Sequence, residues 1–204
     1  MKLTLLLLLA PLAAQDVGGR YVLENVMEIA SELLLLPNHS FSYVLTSGDA
    51  DYYATGTWAV DGDSVVLNSK VASAPQFRFV RSEAVQGGSG IHAWVKSSTG
   101  EPAENVDVQL QQNQGGALQA KTNDRGEAVF TGAGAPRTLI LSVRTYGVQG
   151  GPFPVNPEHN NFYFEINWEA ITRVPFRNER LKINGKSLEL RFWNTKTPLN
   201  YTVE

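Results

Sequence analysis

The chain has 204 residues, with 17 basic and 20 acidic side chains and a formal net charge of −3. No basic stripe stands out, which argues against capture of nucleic acid or of an anionic membrane surface. The absence of cysteine removes disulfides and a lipid-modified cysteine anchor, while 18 glycines and 10 prolines point to a turn-rich, all-β protein.

Lys2 precedes an apolar run from Leu3 to Ala14 that closes on Ala13-Ala14. This pattern predicts a secretory signal peptide over residues 1–14, cleaved near Ala14. The run is shorter than the roughly 20 apolar residues that span a bilayer. The expected mature protein is extracytoplasmic, periplasmic or secreted, with no transmembrane segment or lipid anchor. About 190 residues can bury a core without disulfides, as one large or two small domains.

Between Tyr21 and Leu36 two patterns compete. Leu23, Met27 and Ala30 would line a helix, whereas two short strands broken near Met27 to Ser31 agree better with the strand alternation beyond Leu36. From Ala30 to Leu67 the chain reads as successive antiparallel strands. Phe41, Tyr43 and Leu45 alternate with polar residues, and the period of two lets Phe41, Tyr43, Trp58, Val60, Val65 and Leu67 share one buried face. Pro37 to Ser40 and Asp61-Gly62 supply turns. A further strand is predicted over Gln76 to Arg81, with Phe77 and Phe79 on one side. Residues 87–90, Gly-Gly-Ser-Gly, form the best linker in the chain.

Beyond the linker, Ile91, Ala93 and Val95 alternate with His92, Trp94 and Lys96. Further strands are predicted around Val106 to Leu110, Ala128 to Phe130, Leu139 to Val143 and Phe162 to Trp168. Many short strands at near-regular spacing predict a β-sandwich. The run from Gly100 through Pro102 to Val108 and the unit from Thr122 through Gly126 to Phe130 resemble the transthyretin-like family of carboxypeptidase regulatory-like domains. That resemblance covers Ile91 to Val143 best and implies a β-sandwich with an accessory or interaction role rather than a catalytic one. Gly19-Arg20-Tyr21 and Gly56-Thr57-Trp58 give a weaker resemblance to the lipocalin-like β-barrels of bacterial envelope proteins. Tyr21 stands where that family usually carries Trp.

In the tail, Val174 and Phe176 alternate, and Leu181 to Ile183 leads through Asn184-Gly185 into Leu188 to Phe192, a strong hairpin signal. The expected division is a discontinuous barrel-like domain of residues 15–86 and 170–204, a linker at 87–90, and an inserted sandwich over 91–169. The returning hairpin would close the barrel and remove its exposed edges.

No catalytic motif is present: no Gly-x-Ser-x-Gly, no His-Glu-x-x-His and no Gly-x-Gly-x-x-Gly. His39, His92 and His159 have no second ligand at metal spacing, so no metal or cofactor is expected. Asp49, Asp51, Asp61 and Asp63 are candidates for calcium but read more simply as turn acids. Asn38-His39-Ser40 and Asn200-Tyr201-Thr202 match the glycosylation acceptor pattern, which the resemblance to bacterial envelope proteins makes irrelevant.

The candidate ligand-binding residues are aromatic: Tyr52, Tyr53, Trp94 and Trp193. Alternation places Trp94 opposite Ile91, Ala93 and Val95, turns Trp193 the other way from Phe192, and turns one of the adjacent Tyr52 and Tyr53 away from the main core. Exposed rings stack on sugars or anchor a protein. Cover by a domain interface is the plainer alternative for them. The leading functional expectation is a non-catalytic envelope protein that binds another protein or a glycan. A carrier of a small apolar ligand, with a barrel cavity lined by Tyr43, Trp58 and Val60, is the alternative. A hydrolase built on Asp49 and Asp51 stands third.

Overall fold

The computed structural model describes residues 17–71, 74–191 and 198–204. The expected signal peptide, Phe192 and Trp193 lie outside the described residues. Five strands come first: β1 (Gly19–Leu23), β2 (Ile29–Leu35), β3 (Ser40–Ser47), β4 (Ala50–Asp61) and β5 (Ser64–Ser69). The next eight are β6 (Phe77–Glu83), β7 (Ile91–Ser97), β8 (Asp107–Gln112), β9 (Leu118–Lys121), β10 (Glu127–Phe130), β11 (Pro136–Val143), β12 (Val148–Pro154) and β13 (Asn161–Ile166). A short helix, α1 (Trp168–Thr172), leads to β14 (Arg177–Asn184), β15 (Ser187–Leu190) and β16 (Leu199–Val203).

The first five strands and the last three form one closed antiparallel barrel, ordered β1-β16-β15-β14-β5-β4-β3-β2. The all-β expectation and the barrel are therefore present. The seam is sealed by β1, which pairs β2 on one side and β16 on the other, with Tyr21 opposite both Leu33 and Val203. Closure leaves no barrel edge free to recruit another chain. Strand period two explains which residues fill it: Phe41, Tyr43 and Leu45 on β3, and Val65 and Leu67 on β5, are buried. Asn25 and Glu28 adopt positive φ angles of 57° and 62°, so the segment between β1 and β2 turns and no helix forms there.

The other eight strands make two four-stranded sheets, β10-β7-β13-β6 and β12-β11-β8-β9. Their inner faces share one core in which Val95, Phe162 and Ile166 from the first sheet meet Val108, Leu139 and Leu141 from the second. Fully burying one such aliphatic side chain contributes about 1.5–3 kcal/mol.

Strand β6 corrects the expected boundary. The sequence reading groups it with the barrel, but it pairs antiparallel with β13, Phe77 lying opposite Ile166. Phe77 is buried in the sandwich core, and that apolar burial fixes its allegiance. The glycine-rich residues 87–90 consequently connect two strands of one sheet. The chain passes from barrel to sandwich between β5 and β6 and returns between β13 and β14. Trp168 opens α1 instead of ending a strand, because the Asn167 side chain accepts from the Ala170 amide at 3.2 Å and caps the helix. Val174 and Phe176 lie between α1 and β14 and pack into the barrel core.

Candidate functional site

The outer face of the sheet β10-β7-β13-β6 carries a cluster of unburied aromatic and charged side chains. Alternation selects them. His92, Trp94 and Lys96 face outward on β7, while Ile91, Ala93 and Val95 face the core. The parallel pairing of β7 with β13 puts Tyr163 opposite Trp94 and Glu165 opposite Lys96. Two antiparallel pairings extend the row: Glu127 on β10 lies opposite Trp94, and Arg81 on β6 lies opposite Tyr163. Four strands thus set Glu127, Trp94, Tyr163 and Arg81 side by side.

The three rings are nearly parallel. His92 and Trp94 are inclined by 13°, and Trp94 and Tyr163 by 12°, with both centroid separations 6.5 Å. The Arg81 guanidinium lies over the Tyr163 ring, 3.8 Å from its centroid. Polar edges are tied off within the face. Trp94 Nε1 donates to Asn161 Oδ1 at 3.0 Å, and Tyr163 Oη donates to Glu83 Oε1 at 2.6 Å. His92 Nδ1 lies 2.7 Å from Glu127 Oε1. Arg81 pairs with Glu83 at 2.7 Å, and Arg78 with Glu165 at 2.7 Å. The Tyr163 hydroxyl, and then Arg81, hold the Glu83 carboxyl below the usual carboxylate range. The same Glu83 contact pushes the Tyr163 phenol up.

Against this face lies a cleft of about 660 Å³, whose lining includes Trp94, Tyr163, Arg81, Lys96, Arg125 and Glu165. Its rim includes Gly100 and Pro102. Glu83, Glu127 and Glu165, the carboxylates of this face, are each engaged with a partner.

Trp94 is the one predicted site residue that the structure places in this cleft. Tyr52 and Tyr53 sit at the junction of barrel and sandwich. The Tyr52 ring meets Tyr146 edge-on at 5.4 Å, and the Arg173 guanidinium lies 5.4 Å from the Tyr53 ring centroid. The Tyr53 carbonyl accepts from the Val174 amide at 2.8 Å, so this pair tethers the returning chain to β4. A second cleft of about 430 Å³ at that junction includes Tyr52, Tyr146 and Arg173. Trp193, the fourth residue, lies outside the described residues.

The remaining candidates disperse. Strand β4 carries Asp51 near its start and Asp61 at its end, about 33 Å apart along an extended strand. Asp51 accepts from Thr46, Asp61 pairs with Arg180 and Asp63 accepts from Ser64, so these acids hold hairpin ends in place. Among the described residues no three metal-ligating side chains converge. His39 packs on Trp58, and His159 hydrogen-bonds Ser82. Tyr43, Trp58 and Val60 do not line one cavity: Tyr43 is buried at 1% exposure, whereas Val60 stands 42% exposed at the strand end. The barrel interior around Tyr43 is occupied by the Phe176 and Tyr201 rings, at 5.1 and 6.5 Å.

Sequence reasoning missed Tyr163, Arg81, Lys96 and Arg125 as parts of the site. Alternation within Asn161–Ile166 marks Tyr163 as outward-facing, but only the parallel pairing with a strand 69 residues earlier brings it beside Trp94. No family model, curated protein or solved structure matches the chain.

Proposed function

We propose that this chain is an exported, non-catalytic binding module that holds a glycan against the outer face of the β10-β7-β13-β6 sheet. The observation that carries this reading is the near-parallel, half-buried pair Trp94 and Tyr163 in the lining of an open cleft. Aromatic faces with their polar atoms already bonded offer apolar area that suits the C–H face of a pyranose ring. The sheet beneath is fixed by pairing on both sides of β7 and β13, so the platform is held rigid before a ligand arrives.

The same pairing favours a glycan over an extended peptide. A peptide that adds to a sheet uses main-chain hydrogen bonds at a free edge. Beneath Trp94 and Tyr163 the backbone has no such edge, because β7 pairs β10 and β13, and β13 pairs β7 and β6. Export rests on the basic start and apolar run of residues 2–14, and N-terminal sequencing of the protein from its host should find a start near Gln15. Carriage of an apolar molecule in the barrel is the weaker reading, since buried rings occupy its interior.

Affinity electrophoresis through gels containing neutral and acidic polysaccharides tests the proposal. Wild type should be retarded by at least one polymer, and Trp94→Ala should migrate as in a blank gel. Free migration of wild type through every polymer, or equal retardation of wild type and Trp94→Ala, overturns it.

A further inference from the structure

The glycan reading leaves the sign of the ligand open, and the charges around the cleft favour one. Its cationic side chains are not equivalent. Arg81 is committed to Glu83 at 2.7 Å, and Arg78, just outside the cleft, is committed to Glu165 at 2.7 Å. Arg125 lies 3.7 Å from Glu127, which is itself bonded to His92. Lys96 differs: it is exposed, it faces the cleft, and among the described residues none of the ion pairs includes it. The nearest outward carboxylate across the strand, Glu165, is already neutralised by Arg78. A cationic centre without an internal counter-charge therefore stands beside an aromatic pair, in a protein whose net charge is negative.

The spacing gives that charge a purpose. Lys96 is two residues from Trp94 on the same face of β7, about 6.6 Å along the strand. A hexuronic acid carries its carboxylate directly on the pyranose ring. With that ring on Trp94, the carboxylate falls within reach of the flexible Lys96 ammonium, and Arg125 also lines the cleft. We infer that the ligand of this face is an acidic glycan, with a uronic-acid ring stacked on Trp94 and its carboxylate paired with Lys96.

This inference rests on the glycan-binding reading, and one set of probes separates the two. Full-length mature protein would be run through gels containing polygalacturonate, its methyl ester, a neutral glucan or poly-glutamate. The expected result is retardation by polygalacturonate, several-fold less by the methyl ester, and a loss of retardation as salt rises. Lys96→Met should weaken retention on polygalacturonate about threefold to fivefold without changing retention on the ester, and Lys96→Arg should restore it. Lys96 is exposed, so these variants report on the ligand and leave the fold intact. Equal retention on acid and ester, or retention by the neutral glucan alone, overturns the uronate inference and leaves the glycan reading standing. Equal retention on poly-glutamate shows that charge alone is recognised and overturns the inference as well. Free migration through all four polymers removes both.

Discussion

Trp94 and Tyr163 sit directly opposite each other on β7 and β13, with rings 12° from parallel and each tied by its polar atom to a side chain on the same face. The two residues are 69 positions apart in the chain, and their strands run parallel although most of the fold is antiparallel. Parallel neighbours need a long connection, and here β8 to β12 supply it: β8, β9, β11 and β12 build the second sheet, while β10 pairs with β7. The sheet that covers the inner face of β7 and β13 is thus made by the same chain that brings their outer faces together.

The acid titration of this face should be visible at Glu83. The Tyr163 hydroxyl and Arg81 lower its folded-state carboxyl below the ordinary value. A depressed carboxyl stabilises the fold above the ordinary carboxylate range, and that contribution fades as pH falls through the folded-state value. Tyr163→Phe removes the larger cause and should move the Glu83 titration up toward its ordinary value, as read by carboxyl NMR chemical shifts. An unchanged midpoint would mean that the hydroxyl contact does not form in solution.

The barrel holds a buried cluster of hydroxyls whose loss should cost stability. Tyr201 Oη donates to Ser31 Oγ at 2.8 Å, Ser31 Oγ donates to the Val44 carbonyl at 2.7 Å, and Tyr43 Oη lies 3.2 Å from Tyr201 Oη. Tyr201→Phe and Tyr43→Phe should each destabilise by about 1–3 kcal/mol, because each phenol takes part in buried hydroxyl contacts with the other and with Ser31. Burial pushes both phenols up, reinforced at Tyr43 by the neighbouring Tyr201. A raised phenol contributes stability that is complete below the ordinary tyrosine range and is lost as pH rises beyond it. Urea denaturation at neutral and at strongly alkaline pH should show a shallower alkaline loss in either variant than in wild type.

The alternation of apolar residues from Phe41 to Leu67, and the hairpin at Asn184-Gly185, made the barrel strands legible, because burying one face of a strand imposes a period of two. The place of β6 was not legible. Its Phe77 and Phe79 signal a strand with one apolar side but carry nothing about which core receives them. The glycines at 87–90 look like a boundary because flexibility reads the same in a loop within a sheet as between two domains. Trp94 was found because it faces away from three apolar neighbours on its own strand. Its companions Tyr163 and Arg81 depend on pairing between distant strands, and local alternation is silent on that.

Gly56 is fixed by a close approach in the barrel wall. A Cβ built there would stand 1.9 Å from the Asn68 carbonyl oxygen and 2.8 Å from the Phe41 ring. Backbone cannot retreat from such a contact without breaking the β4–β5 ladder, in which Gly56 pairs with Ser69. Gly56→Ala should therefore cost about 1–3 kcal/mol, as overpacking of a filled core does. Thermal unfolding should show a lower midpoint with retained β-sheet circular dichroism. A midpoint equal to wild type would mean that the two strands are less closely apposed than 1.9 Å implies.

Glu179 runs against the pattern of the barrel, since it lies opposite the fully buried Leu67 and so shares the inward face. Among the described residues none of the ion pairs includes it, whereas its neighbour Arg180 turns outward and pairs with Asp61. Burial alone pushes its carboxyl above the usual range. An acid raised in this way penalises the folded state wherever the side chain is ionised, and the penalty disappears as pH falls through the folded-state value. Glu179→Gln should accordingly raise the unfolding temperature at neutral pH, with the difference closing at pH values below the ordinary carboxylate range, where wild type is protonated too. Unfolding midpoints that differ by the same amount at both pH values would place the effect in packing and not in the charge.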